Sequence, residues 1–74
     1  ALKNPAEAIV SYDRAIAIDP AGAPVWFNRG NALLALGRAA EAVESYDRAL
    51  ALDPSFAHAE KNRKIASEKM EKKS

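Results

Sequence analysis

Residues Ala6–Pro20 are written again as Ala40–Pro54, 34 positions later. Eleven of the fifteen aligned positions are identical: Ala6, Glu7, Ala8, Ser11, Tyr12, Asp13, Arg14, Ala15, Ala17, Asp19 and Pro20. Ile9/Val43, Ile16/Leu50 and Ile18/Leu52 exchange one aliphatic side chain for another, and only Val10/Glu44 changes character. A fixed period of this size constrains the fold more than any other feature of the chain. Each unit is one supersecondary element that cannot bury its apolar face alone and must stack on its neighbours.

The repeated unit is helical. Alanine and leucine are abundant, and prolines and glycines fall at points of punctuation. At Asn4-Pro5-Ala6-Glu7, Asn4 can cap, Pro5 suits the first turn and Glu7 completes a capping-box-like pair. The first helix is expected over Pro5–Ile18, with Ile9, Tyr12 and Ile16, flanked by Ala8 and Ala15, as its apolar face. Asp19-Pro20-Ala21-Gly22 forms a turn. A second helix is expected from about Ala23 to Leu36, stopped by Gly37, and a third over Ala39–Leu52 with Ala42, Val43, Tyr46, Ala49 and Leu50 facing inward. After Asp53-Pro54 a fourth helix runs from about Phe56 to Met70, with Glu71–Ser74 expected to fray.

The unit Ala23–Phe56 resembles a tetratricopeptide repeat, a 34-residue helix–turn–helix, through Trp26, Gly30, Ala42, Tyr46 (an aromatic in place of phenylalanine), Ala49 and Pro54. Two positions depart from the family pattern: Arg29 stands where leucine is usual and Leu33 where tyrosine is usual. Arg29 is expected to lay its aliphatic stem on the interface and send its guanidinium to water. The resemblance implies an all-α fold, a short right-handed α-solenoid of four antiparallel helices. In that frame residues 1–22 hold the second helix of a truncated repeat, 23–56 a complete repeat and 57–74 a polar capping helix. In the last of these, Glu60 and Lys64 replace the tryptophan and glycine positions.

The resemblance also implies a non-catalytic protein-interaction module. Its concave groove would be lined by Pro24, Phe27, Asn28, Asn31, Leu34 and Ala35, with His58, Lys61, Asn62 and Ile65 from the last helix. Asn28 and Asn31 can each hold a peptide backbone through a bidentate amide. The carboxylate-gripping subclass is matched only at Asn28, because His58 and Asn62 occupy its basic positions. The alternative is a self-associating structural or engineered module. The open face of its first helix (Ile9, Tyr12, Ile16) would pair with a second copy as a homodimer or larger homo-oligomer.

Other chemistry finds little support. With no cysteine, disulfides and thiolate metal sites are impossible, which says little about compartment; a cytoplasmic setting is favoured. His58 has no nucleophile or carboxylate pair arranged with it, Gly30 and Gly37 lack phosphate-loop spacing, and no cofactor is expected. No apolar run approaches a membrane span. The net charge is +1, divided unevenly: residues 1–57 carry five basic and seven acidic side chains, residues 58–74 six basic and three acidic. Nucleic-acid binding by that basic tail is disfavoured, since its glutamates are interleaved and it has no aromatic ring for stacking.

Overall fold

The computed structural model describes residues 4–72. Four helices follow one another: α1 (Pro5–Ile18), α2 (Ala23–Ala35), α3 (Ala39–Leu52) and α4 (Ala57–Lys72). No strand occurs among the described residues. The fourth helix continues through Lys72, beyond the expected end at Met70, so Glu71 and Lys72 are helical rather than frayed. Lys73 and Ser74 lie outside the described residues.

Each helix starts and stops for a local reason. Asn4 Oδ1 accepts the Glu7 backbone N–H at 2.9 Å, satisfying one orphan donor of α1, and Pro5 occupies the first turn. The two exits are copies of each other. Asp19 Oδ1 accepts from the Ala21 N–H, and Asp53 Oδ1 from the Ser55 N–H and hydroxyl, closing the same side-chain turn twice. After α2 the Gly37 N–H donates to Leu34 O and the Arg38 N–H to Leu33 O. This double closure requires the left-handed conformation that Gly37 adopts at φ 79°. Leu36 is therefore the cap of α2 rather than its last helical residue.

Sequence neighbours are spatial neighbours. α2 packs between α1 and α3, α3 packs between α2 and α4, and α1 rests on α2 alone. The Cα envelope measures 36 × 30 × 19 Å, and its thinnest dimension is about two helix diameters, as in a two-layer stack. The core is formed by Leu33, Ala42, Tyr46 and Ala66, with Ile9, Phe27, Leu34 and Val43 packed against it. Leu33, where the family pattern has tyrosine, is fully buried.

The crossing of α2 and α3 is tight because one side of it has no side chain. A Cβ placed on Gly30 would lie 2.6–2.9 Å from three atoms of the Tyr46 ring. The ring thus lies directly on the α2 backbone. Its hydroxyl donates to Asn31 Oδ1 at 2.6 Å, the residue next to that glycine.

The units are also bolted by charge, and here the structure departs from the sequence expectation. The Arg29 guanidinium does not go to water. Nε donates to Asp13 Oδ1 and Nη1 to the hydroxyl of buried Ser45, both at 2.7 Å, so one residue of α2 ties α1 to α3. One period later Arg63 pairs with Asp47. The recurring aspartates therefore bond to the arginine sixteen residues ahead on the next helix.

Candidate functional site

The sequence-derived groove residues lie on α2 and α4, which touch at Phe27 and His58 and at Asn31 and Asn62. At one end, near the starts of both helices, is an aromatic group. The Phe27 ring centroid lies 4.9 Å from Phe56, 5.9 Å from Tyr46 and 6.5 Å from His58, all tilted as ring quadrupoles prefer. Pro24 and Asn28 are exposed on α2, and His58 and Lys61 are exposed on α4.

The middle level is built from amides. Asn31 Oδ1 accepts from the Tyr46 hydroxyl and from Asn62 Nδ2 at 2.9 Å. That oxygen therefore joins α2, α3 and α4 at one point. A carbonyl oxygen has two lone pairs, and both are taken, so Asn31 is left with its N–H donors. Asn28, one turn away, is exposed, and an amide of this kind can both donate to and accept from a peptide backbone.

The far end is apolar. Half-buried Leu34 opens onto a cleft of about 480 Å³ walled by the α2–α3 turn, the start of α3, Lys69 and Met70. Arg38 and Glu41 form a bidentate pair on its wall, two bonds of 2.7 Å. The hydrogen bond from Arg38 holds the Glu41 carboxyl below its usual range. Ala35 and Ile65 complete the expected set and are both exposed.

The sequence reading missed two contributors. Phe56, expected at the start of the fourth helix, precedes α4 and packs its ring against Phe27. The available signal was a break in the repeat, since Phe56 stands 34 residues after Gly22. The Tyr46 hydroxyl is the other: the sequence pattern accounts for its ring as packing, and the structure adds the bond to Asn31. Burial pushes its phenol pKa up.

A larger cleft, about 640 Å³, lies away from these residues and is lined by side chains of α1, α2 and α3. Asp13 and Ile16 form one wall, Ser45 and Arg48 the other, and Trp26 the floor. Arg29 and Arg48 sit 6.0 and 5.9 Å from the centre of the indole ring, and Trp26 Nε1 donates to the Pro20 carbonyl. Its polar lining is thus largely engaged in joining one unit to the next. Among the described residues no group of histidine, aspartate and glutamate could hold a metal ion, and no helix is long and apolar enough to cross a membrane.

Sequential antiparallel helices, stacked in two layers and fastened by contacts that recur every 34 residues, define an α-helical repeat protein. The comparison with known families gives the same result: the tetratricopeptide repeat model matches residues 23–56, and a TPR repeat model matches residues 3–37. The chain belongs to the tetratricopeptide repeat family. No curated relative matches it significantly. Repeats of this family mediate protein–protein interaction and are typically non-catalytic.

Proposed function

We propose that the chain is a non-catalytic interaction module that binds an extended peptide or partner helix along the α2–α4 furrow. In this reading α2 and α3 form the complete repeat, α1 is the second helix of the unit before it, and α4 is a polar capping helix. What supports the reading is the order of side chains along the α2–α4 contact. An aromatic group (Phe27, Phe56, His58), an exposed amide (Asn28) and an apolar cleft beside Leu34 follow one another along it. Apolar side chains of a partner would seat at the two ends, while Asn28 would exchange two hydrogen bonds with its backbone. Asn31 and Asn62 serve the reading indirectly, by holding α2 and α4 at fixed separation.

The test is selection of peptides from a displayed random library on the immobilised 74-residue chain, followed by titration of the winners. Asn28→Ala touches no core contact, so the fold should survive, and affinity should fall about tenfold, the worth of roughly two neutral hydrogen bonds. Peptides that bind Asn28→Ala as well as the parent chain would place the site elsewhere.

A further inference from the structure

The charges of α4 are sorted by side. Its glutamates, Glu60, Glu68 and Glu71, all line one cleft formed by α4 alone, together with Arg63, Lys64 and Ser67. There the cations are balanced: Lys64 has Glu60 and Glu68 four residues to either side, and Arg63 bonds to Asp47 of α3. The residues of α4 that meet α2 are a different set. His58 lies beside Phe27, Asn62 bonds to Asn31, and Lys69 shares a cleft with Leu34. Residues three, four, seven and eleven positions apart fall on one side of a helix, so Lys61 and Ile65 complete that stripe. It contains no carboxylate. Lys61 and Lys69 are exposed, have no acidic residue three or four positions away, and make no ion pair among the described residues.

The other elements beside this stripe do not neutralise it. The one charged residue of α2, Arg29, is turned away to Asp13 and Ser45. The Glu41 carboxylate is held by two nitrogens of Arg38, and that of Asp53 by the backbone N–H and hydroxyl of Ser55. A chain with a net charge of only +1 thus presents two unbalanced lysines beside amide and apolar side chains. A carboxylate brought to either lysine gains an ion pair, and a cationic partner is repelled. A phosphate backbone would satisfy the charge but has nothing to place in the apolar cleft beside Leu34 and Met70, which a peptide side chain fills. The spacing is equally definite. Eight helical residues separate Lys61 from Lys69, about 12 Å along α4. Four residues of extended peptide cover about 13 Å and, with a period of two, return the second side chain to the same side.

We propose that the α2–α4 furrow selects an extended acidic segment, with one side-chain carboxylate at Lys61, a second four residues along at Lys69, and apolar side chains between and beside them. This rests on the reading of the furrow as a peptide site and adds the class of peptide it takes. The two lysines set charge and spacing, while Asn28 holds the backbone regardless of sequence.

The probe is a displayed random peptide library, selected in parallel on the immobilised 74-residue chain and on its Lys61→Gln/Lys69→Gln variant. Both lysines are exposed, so the fold should survive. Winners on the parent should be enriched in Asp or Glu pairs four residues apart, and winners on the variant should not. Resynthesised with amidated C-termini, so that only side-chain carboxylates are read, the parent's winners should bind the variant about tenfold more weakly, the worth of two exposed ion pairs. Lys64→Gln, on the balanced side of the same helix, should leave their affinity unchanged. Winners that require Asn28 yet lack acidic pairs, or bind the lysine variant as tightly, overturn this proposal and leave the furrow standing. Winners indifferent to Asn28→Ala remove the furrow and this proposal with it. Equal weakening by Lys64→Gln overturns it, because overall charge would then be the cause. So does an oligothymidylate that displaces a labelled winner as well as the unlabelled peptide does, because any polyanion would then suffice.

Discussion

Replacing Gly30 by alanine should destabilise this protein, and the sign of the effect is the informative part. In an exposed helix interior the change gains about 1 kcal/mol, because glycine loses more backbone freedom on folding. At Gly30 the new methyl would lie 2.6, 2.8 and 2.9 Å from three atoms of the Tyr46 ring. That ring cannot swing into solvent, since Tyr46 has no exposed surface. Either the helices separate, at an overpacking cost of about 1–3 kcal/mol, or the ring shifts and strains its 2.6 Å bond to Asn31, worth about 1 kcal/mol. Three overlapped ring atoms put the cost in the upper half of that range, about 2–3 kcal/mol, and after the propensity gain of about 1 kcal/mol the net loss is about 1–2 kcal/mol. A domain of this size has only about 3–5 kcal/mol in all, so the effect is large. In urea, with a slope of about 1 kcal/mol per molar, the midpoint followed by helical circular dichroism should drop by about 1–2 M. The double variant Gly30→Ala/Tyr46→Leu isolates the cause: with the ring removed, the alanine should become neutral or favourable. A Gly30→Ala midpoint equal to or above the parent's would refute the close-approach argument, and so would simple additivity in the double variant.

Two further outcomes follow from contacts already described. Arg29→Met leaves the buried Ser45 hydroxyl without its donor and should cost about 1–3 kcal/mol, whereas Arg63→Met removes only a half-exposed pair with Asp47 and should cost less than about 1 kcal/mol; equal losses in urea melts would contradict the assigned roles. Burial raises the Tyr46 phenol above its ordinary value of 10.0, so the folded state holds that proton more tightly than the unfolded chain. Its contribution to stability is then fully present below pH 10 and declines as pH rises through the folded value. Urea melts from pH 8 to about pH 11 should show that alkaline decline in the parent and a shallower one in Tyr46→Phe.

The repeat made the helices legible because their punctuation is chemical and local. Asn4, the two Asp-Pro turns and Gly37 act through bonds within a few residues, and the sequence reading found each of them. The close approach at Gly30 followed from the family pattern. Arg29 was harder. Taken alone, an arginine at a helix crossing is expected to reach for water, and the structure turns it inward to Asp13 and Ser45. The clue was periodic: Asp13/Arg29 and Asp47/Arg63 repeat with the same separation of sixteen. The three-way contact of Asn31 with Tyr46 and Asn62 was invisible because Asn31 and Asn62 are not in register, so no repeated pair announces it. Phe56 stayed hidden because its partner Phe27 is reached only after two turns have placed α4 beside α2.

The uneven burial of the four helices also sets where the molecule opens first. In a one-dimensional stack each element is held only by its neighbours, so local unfolding is cheapest at an end with little to lose. α1 has one neighbour and no buried residue, whereas α2 and α3 have four each. Amide protons of α1 should therefore exchange with solvent through brief detachment of that helix alone, breaking the Asp13–Arg29 bond as it leaves. Those of α3 should wait for much larger openings. With α2 as its one neighbour here, α1 is the helix that detaches most readily, and any molecule gripping α1 and α2 together would prolong its residence.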